Sequence, residues 1–296
     1  MTTSPPINTV LIVGGSGALG HRLVTELLSL QTPPQNIYVF DLRTQQNRIS
    51  TVHYHDVDIS DKEQVYAALE ALNPVPEVVF HTASPPFGLL DLDLYLRVNV
   101  EGTRNLLEAA KKFGIKAFVY TSSASVIHDA VTLADELVLK HNDPTHSFLT
   151  TCIRPSGIFG ENDPGSVKSF AERAAAGKLK IQIGDGKNLF DFTYVGNVID
   201  AHILAAQKLL LHLETPVKDE SMRVDGQGFL ITNDEHIPFW EFARAIGDAA
   251  GHPTREEDVK SIPKIVGLFM AIVAEWMVWI LSFGRKKSRV NRVGTA

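Results

Sequence analysis

Short apolar, β-branched runs alternate with amphipathic stretches through the first half of the chain. Residues 7–13 are mostly apolar and end at Gly14-Gly15-Ser16-Gly17-Ala18-Leu19-Gly20, after which apolar positions recur at Leu23, Leu27, Leu28 and Leu30. That pattern predicts strand, glycine loop and helix. Pro33-Pro34 closes the helix, residues 37–40 form a second strand, and Asp41 stands at its carboxyl end. A third strand falls at 52–54, then a helix at 62–72, a strand at 78–81, a long helix at 98–110 and a strand at 117–121. Elements alternating at this spacing predict the α/β class: a doubly wound parallel sheet, Rossmann-like, with helices on both faces.

Beyond Ser123 the pattern loosens. Residues 132–140 read as helix, 149–153 as strand and Arg154-Pro155-Ser156-Gly157 as a loop. Residues 170–177 read as helix and 180–183 as strand, and the turn Gly184-Asp185-Gly186 leads through 191–197 to a helix from Val198 onward. The expected organisation is a Rossmann-like domain at 1–153, interrupted near 127–131, and a smaller lobe at 154–261 with interleaved sheet elements. An apolar helix at 262–284 and a basic tail at 285–296 complete it.

Residues 265–283 carry one charge, Glu275, and two tryptophans, Trp276 and Trp279. As a helix this run is about 28 Å long at about 1.5 Å per residue, close to the hydrocarbon thickness of a bilayer. Arg285, Lys286, Lys287, Arg289 and Arg292 follow it, and basic flanks prefer the cytoplasmic side. A simple span would send that tail away from a cytosolic domain. The expectation is a helix lying in or dipping into the cytoplasmic leaflet, held by apolar burial and by anionic lipid. The plain alternative is a helix buried under the smaller lobe.

Composition adds limits. With 296 residues, 44% hydrophobic and 21% charged, the chain has the make-up of a globular protein with a sizeable core. A net charge of -6 argues against a general nucleic-acid binder. Cys152 is the single cysteine, which excludes an intrachain disulfide framework and all-cysteine metal sites and fits a reducing compartment. The opening residues lack the pattern of a secretory signal.

Gly14, Gly17 and Gly20 allow a tight turn, close backbone approach to a pyrophosphate and close helix–strand packing. Ala18 and Leu19 open a helix whose unpaired N–H groups and dipole favour an anion. Asp41, twenty-one residues after Gly20, is placed to accept from ribose hydroxyls. Its carboxylate would repel a 2′-phosphate, so NAD is expected ahead of NADP, with Arg43 close by as the counter-argument. Other readings of the loop fail. His21-Arg22 replaces the Lys-Ser/Thr of a Walker A loop, and Ala18 replaces the second glycine of a nucleophile elbow at Ser16. His53, His55, Asp56 and Asp58 lack further ligands and are expected to be structural, leaving no metal site.

With further motifs, these residues resemble the extended short-chain dehydrogenase/reductase family, and within it the 3β-hydroxysteroid and sterol-4α-carboxylate 3-dehydrogenase branch. The marks are the G-x-x-G-x-x-G loop, Asp58-Ile59, His81-Thr82-Ala83-Ser84, Asn99-Val100-Glu101-Gly102-Thr103 and Tyr120-Thr121-Ser122-Ser123-Ala124-Ser125-Val126. Arg154-Pro155, Ile158-Phe159-Gly160, the stretch 191–197 and Ala201-His202 extend the resemblance over most of the chain. Residues 229–233 and the apolar C-terminal stretch are similar to fungal members.

The resemblance implies that Asp58 and Ile59 contact adenine and that Ala83, Ser84 and Pro155 also line an NAD site. It implies oxidation of a 3β-hydroxyl, with Ser123 hydrogen-bonding the reacting oxygen, a tyrosine phenolate taking its proton, and a lysine four residues later lowering the tyrosine's pKa. Beside a 4α-carboxylate the oxidation creates a β-keto acid, which loses CO₂ through an enolate. The implied setting is steroid and sterol biosynthesis at the cytosolic face of the endoplasmic reticulum membrane. The implied partners are a sterol or triterpenoid substrate, the membrane surface, other proteins of a sterol-demethylation complex, and a second copy in a homodimer.

The chain departs from the family's pattern at its most consequential point. Its tyrosines are Tyr38, Tyr54, Tyr66, Tyr95, Tyr120 and Tyr194, and none has a lysine four residues on. Aligned on the helix at 132–140, Ile127 and Val131 stand where tyrosine and lysine belong, only a few residues after Ser123. A segment is expected to be missing there, along with the family's last C-terminal elements. Loss of a positioned general base costs about 10²–10⁴-fold. Two alternatives therefore stand beside the sterol dehydrogenase: the same oxidation on a triterpenoid acid in fungal secondary metabolism, and an NAD-binding relative without turnover.

Overall fold

The computed structural model describes residues 5–86, 91–124, 130–161, 163, 165–215, 217 and 219–281. Seven strands form one sheet: β1 (Thr9–Val13), β2 (Asn36–Asp41), β3 (His53–Asp56), β4 (Val78–His81), β5 (Ala117–Thr121), β6 (Leu149–Pro155) and β7 (Gln227–Ile231). Their order is β7-β6-β5-β4-β1-β2-β3, and every neighbouring pair is parallel. The order turns back at β1 and β4, the crevice where ligands of such sheets bind.

β1 is buried at all five positions, which is why it reads as a continuous apolar run rather than an alternation. Its side chains still divide by face. Val10 and Ile12 join Leu23, Leu27, Ile199 and Leu209 on one side, whereas Leu11 and Val13 join Phe40, Leu69, Leu107 and Val138 on the other. Helix Ala18–Ser29 buries Gly20, Leu23, Val24 and Leu27, one stripe at helical spacing. Helices Ala18–Ser29 and Val195–Glu214 cover the first face; Lys62–Glu70, Thr103–Lys112 and Ala130–Lys140 cover the second.

The structure differs from the sequence pattern in several places, among them the loop expected at 154–157, where β6 runs on to Pro155 and Gly157–Phe159 is a strand. The third strand runs over His53–Asp56 and is only partly covered, as suits a polar edge strand. The helix anticipated at 98–110 begins at Leu92 and passes through a π-helical stretch, Leu96–Gly102, before continuing as Thr103–Lys112. Strand β7, which the periodicity did not indicate, pairs with β6 through Phe229 opposite Ile153.

Two compact units are present. Within the stretch 154–261, Thr193–Thr232 belongs to the first unit, which holds the seven-stranded sheet. In the second unit, helices Ser166–Ala175 and Phe239–Ala249 pack together around aromatic rings, with Phe192 stacked on Phe242 at 3.7 Å between centroids. This unit also holds helix Lys264–Leu281. Gly267 and Ala271 form its docked stripe, and a Cβ on Gly267 would lie 3.0 Å from Ile183 Cγ2. Ile265, Phe269, Met270, Trp276 and Met277 are exposed. Against the alternative of a helix buried under the lobe, only Gly267 and Ala271 are buried among its described side chains. No helix among the described residues is long and apolar enough to cross a membrane.

Candidate functional site

The parallel register puts the carboxyl ends of the strands in one row. Val13 lies between Phe40 and His81, and His81 lies beside Tyr120. Asp41, Gly14, Thr82 and Thr121 follow them side by side. At about 4.8 Å between strands, the row from β2 to β5 covers about 14 Å.

The glycine loop occupies the middle of this row. Gly14 has φ +85°, donates its N–H to Phe40 O at 2.7 Å, and a Cβ on it would lie 2.7 Å from Ala83 N. A Cβ on Gly20 would strike Gly14 O, and one on Gly17 would lie 3.2 Å from the same oxygen. Helix Ala18–Ser29 starts at Gly17 without a side-chain cap. Gly17 and Ala18 are exposed and Leu19 is half-buried. Asp41 Oδ2 accepts from Ser16 N–H at 3.0 Å, and Asp41 Oδ1 accepts from Arg43 N–H at 3.4 Å. Ser16 Oγ is buried with no partner among the described residues. A cradle that Cβ atoms would fill, an uncapped helix start and an unpaired hydroxyl fit a dinucleotide's pyrophosphate and ribose.

The flanking residues each have a structural task. Thr82 N–H and Oγ1 both donate to Val13 O, at 2.8 and 2.9 Å, which pins the Ala83-Ser84 turn beside the loop. Ser84 Oγ donates to Pro85 O at 3.3 Å. Asp58 Oδ1 accepts from Ser60 N–H and Oγ at 2.9 and 2.7 Å, shaping its own turn. Ile59 is buried against Gly102, and its carbonyl accepts from Asn105 Nδ2 at 3.0 Å.

Ser123 follows β5 and is half-buried. Bonds on either side of it tie its segment to β6: Ser122 N–H donates to Ile153 O and Ala124 N–H to Pro155 O, both at 2.8 Å. Pro155 is buried at the end of β6. Ile127 lies outside the described residues, and Val131 sits in the first turn of helix Ala130–Lys140.

Two buried histidines brace the strand ends. His81 Nε2 meets Thr103 Oγ1 at 2.9 Å, and burial pushes its pKa down to about 3. His202 Nδ1 donates to Val198 O at 2.7 Å, so its Nε2 accepts from Thr121 Oγ1 at 2.7 Å. Burial pushes its pKa down to about 4. Both rings are neutral at pH 7. His53 and His55 pack their rings against Tyr38 and Phe40.

In the sequence Asn99 stands out only as part of a motif. It lies in the π-helical stretch, and its amide nitrogen and oxygen are buried with no partner among the described residues. π-helical turns recur at functional sites. The Asn-Val-Glu-Gly-Thr run was the available signal.

The sheet order, the glycine cradle and the strand-end acid define the Rossmann-like class of α/β proteins. The residue pattern of the 3-beta hydroxysteroid dehydrogenase/isomerase family matches residues 11–132 and 129–261, and the chain belongs to that family. The two matched stretches overlap at residues 129–132. The chain is 36% identical over 304 positions to the sterol-4-alpha-carboxylate 3-dehydrogenase, decarboxylating, of Saccharomyces cerevisiae, covering 92% of this chain and 83% of that protein. This alignment is longer than the 296-residue chain, so the yeast relative carries segments absent here. Identity to the Bos taurus protein of the same description is 37% over 265 positions, covering 82% of this chain and 70% of that one. The fold is similar to that of a Thermus thermophilus UDP-glucose 4-epimerase in complex with NAD, with a TM-score of 0.66, 24% identity and 86% of each chain covered.

Proposed function

We propose that the chain binds NAD along the carboxyl edge of its sheet and serves the oxidation of the 3β-hydroxyl of a 4α-carboxysterol, with loss of CO₂ following. The carrying observation is the Gly14–Gly20 cradle beside Asp41, in a chain over a third identical to sterol-4-alpha-carboxylate 3-dehydrogenases. Gly14, Gly17, Ala18, Leu19 and Gly20 take the pyrophosphate, and Asp41 takes the adenosine ribose. Asp58 and Ile59 border the adenine, while Ala83, Ser84 and Pro155 line the remainder. Bound NAD supplies the hydride acceptor. Ser123 would hold the substrate hydroxyl by a hydrogen bond, the hydroxyl proton would pass to solvent as the hydride leaves carbon, and the β-keto acid so formed needs no further catalytic group to lose CO₂.

One observation favours a second reading, NAD binding without turnover: no tyrosine in the chain has a lysine four residues on. Adding a 4α-carboxysterol to the NAD-loaded protein and following NADH and CO₂ separates the two. NADH with CO₂ supports the oxidation; NAD bound by titration with no NADH leaves the binding role. Comparing the products from sterol and triterpenoid acids then decides the substrate.

The exposed stripe of helix Lys264–Leu281 lies in the cytosolic leaflet of the endoplasmic reticulum in this reading, beside an apolar substrate's source. Ile265→Asp with Phe269→Asp releases the protein from anionic vesicles. Unchanged sedimentation with vesicles places the anchor elsewhere.

A further inference from the structure

We infer that Asn47 is a positioning residue for the dinucleotide loop, its side-chain amide fixing the Ser16–Gly17 peptide in the orientation a pyrophosphate requires. This rests on the NAD reading above. Two consecutive loop peptides are held by side chains from outside the loop. Asp41 Oδ2 holds the first through Ser16 N–H at 3.0 Å. The second is held at both ends: Ser16 O accepts from Asn47 Nδ2 at 2.9 Å, and Gly17 N–H donates to Gly14 O at 3.0 Å. A planar peptide anchored at both ends cannot rotate about its flanking dihedrals. Gly17 needs such an anchor, because the missing side chain that opens the loop to a ligand also frees the backbone.

Asn47 is itself held by a lattice of contacts to the edge strand. Its φ of +54° is in the left-handed region, which asparagine tolerates better than most residues. Its carbonyl accepts from the Tyr54 hydroxyl at 3.2 Å, and that oxygen accepts from Ile49 N–H at 3.1 Å. The Arg48 guanidinium lies 4.8 Å from the centre of the Tyr54 ring. Thr44 N–H and Oγ1 both donate to Asp56 Oδ1 at 2.8 Å. The segment from Thr44 to Ile49 is thereby pinned to the polar edge strand β3. The connection after β2 thus does two jobs: Asp41 at its start meets the ribose, and Asn47 farther along sets the peptide that meets the phosphates.

The test compares wild type with Asn47→Gly, which keeps the left-handed backbone while removing the amide, and with Tyr54→Phe, which removes the support. NAD, ADP and adenosine are titrated calorimetrically, and hydrogen exchange of the Gly17 amide is followed in the ligand-free protein. Asn47→Gly is expected to weaken NAD and ADP about fivefold, the worth of one hydrogen bond, to leave adenosine within about twofold, and to speed Gly17 exchange. Tyr54→Phe moves the same quantities less far. NAD and ADP affinities at the wild-type level with unchanged exchange would overturn the inference, and so would an equal loss for adenosine. If wild type takes up none of the three ligands, the NAD reading fails, and the exchange rate alone decides whether Asn47 is the clamp.

Discussion

Asp135 on helix Ala130–Lys140 grips Arg154 of β6 through two parallel hydrogen bonds, Nε to Oδ1 at 3.0 Å and Nη2 to Oδ2 at 2.5 Å. The bond to Asp135 raises the arginine's pKa, and a Cβ on Gly228 would strike the guanidinium. The pair fastens the helix downstream of the Ser123 segment to the sheet. Asp135 is buried and Arg154 only partly so, and removing the carboxylate strands a partly covered charge. Asp135→Ala is expected to cost about 2 kcal/mol, read by chemical denaturation. Gly228→Ala pushes the same guanidinium aside, so the double variant should lose less than the two single losses added together.

Gly20 and Gly17 are glycines for different reasons. At Gly20 a Cβ collides with the Gly14 carbonyl, so Gly20→Ala is expected to destabilise the fold by about 2 kcal/mol or more. Gly17 has an ordinary φ of -74° and only a tight contact at 3.2 Å, so its absent side chain serves access. Gly17→Ala should melt within a few degrees of wild type yet bind NAD about tenfold more weakly in a titration. Equal effects on melting would remove the distinction.

Asp41 has one oxygen on the Ser16 N–H and the other on a long contact to Arg43, so a carboxylate edge is available to a ribose diol. Asp41→Ala is expected to weaken NAD about tenfold or more, a loss of about 1.4 kcal/mol per decade. NADP should lose far less, because its 2′-phosphate no longer meets a negative charge. The ratio of the two dissociation constants is the measurement, and an unchanged ratio would sink the ribose assignment.

Burial holds the pKa of His81 at about 3 and that of His202 at about 4, against an unfolded value of 6.5. The unfolded chain therefore binds more protons than the folded one between these values, and stability falls as pH drops below about 6.5. The contribution is fully present above that pH and is lost down to about 4 for His202 and about 3 for His81. Each ring should take away up to about 1.4 kcal/mol per pH unit inside its window. Denaturation midpoints at pH 7.5, 6 and 5 give the slope, and His202→Gln should flatten it.

How much of this was legible in the sequence follows from the range of each interaction. A strand buried on both faces writes itself as an apolar run, a helix packed on one side writes a 3.6-residue period, and a phosphate loop needs glycine at fixed positions. All three are local, so β1, the Gly14–Gly20 loop, the helix after it and Asp41 could be read along the chain. The edge strand β7 could not, because it is half-covered and pairs with residues far earlier in the sequence. Nor could the contact of Thr121 with His202, 81 residues apart, the Asp135–Arg154 grip, or the reach of Asn47 to Ser16. The exposed and docked stripes of helix Lys264–Leu281 share one apolar composition, and only packing against Ile183 separates them. The sequence alone determined the class of fold and the glycine loop and strand-end acid at the head of the sheet. Which side chains brace that site was decided by tertiary structure, because strand order and register bring together residues that no local period relates.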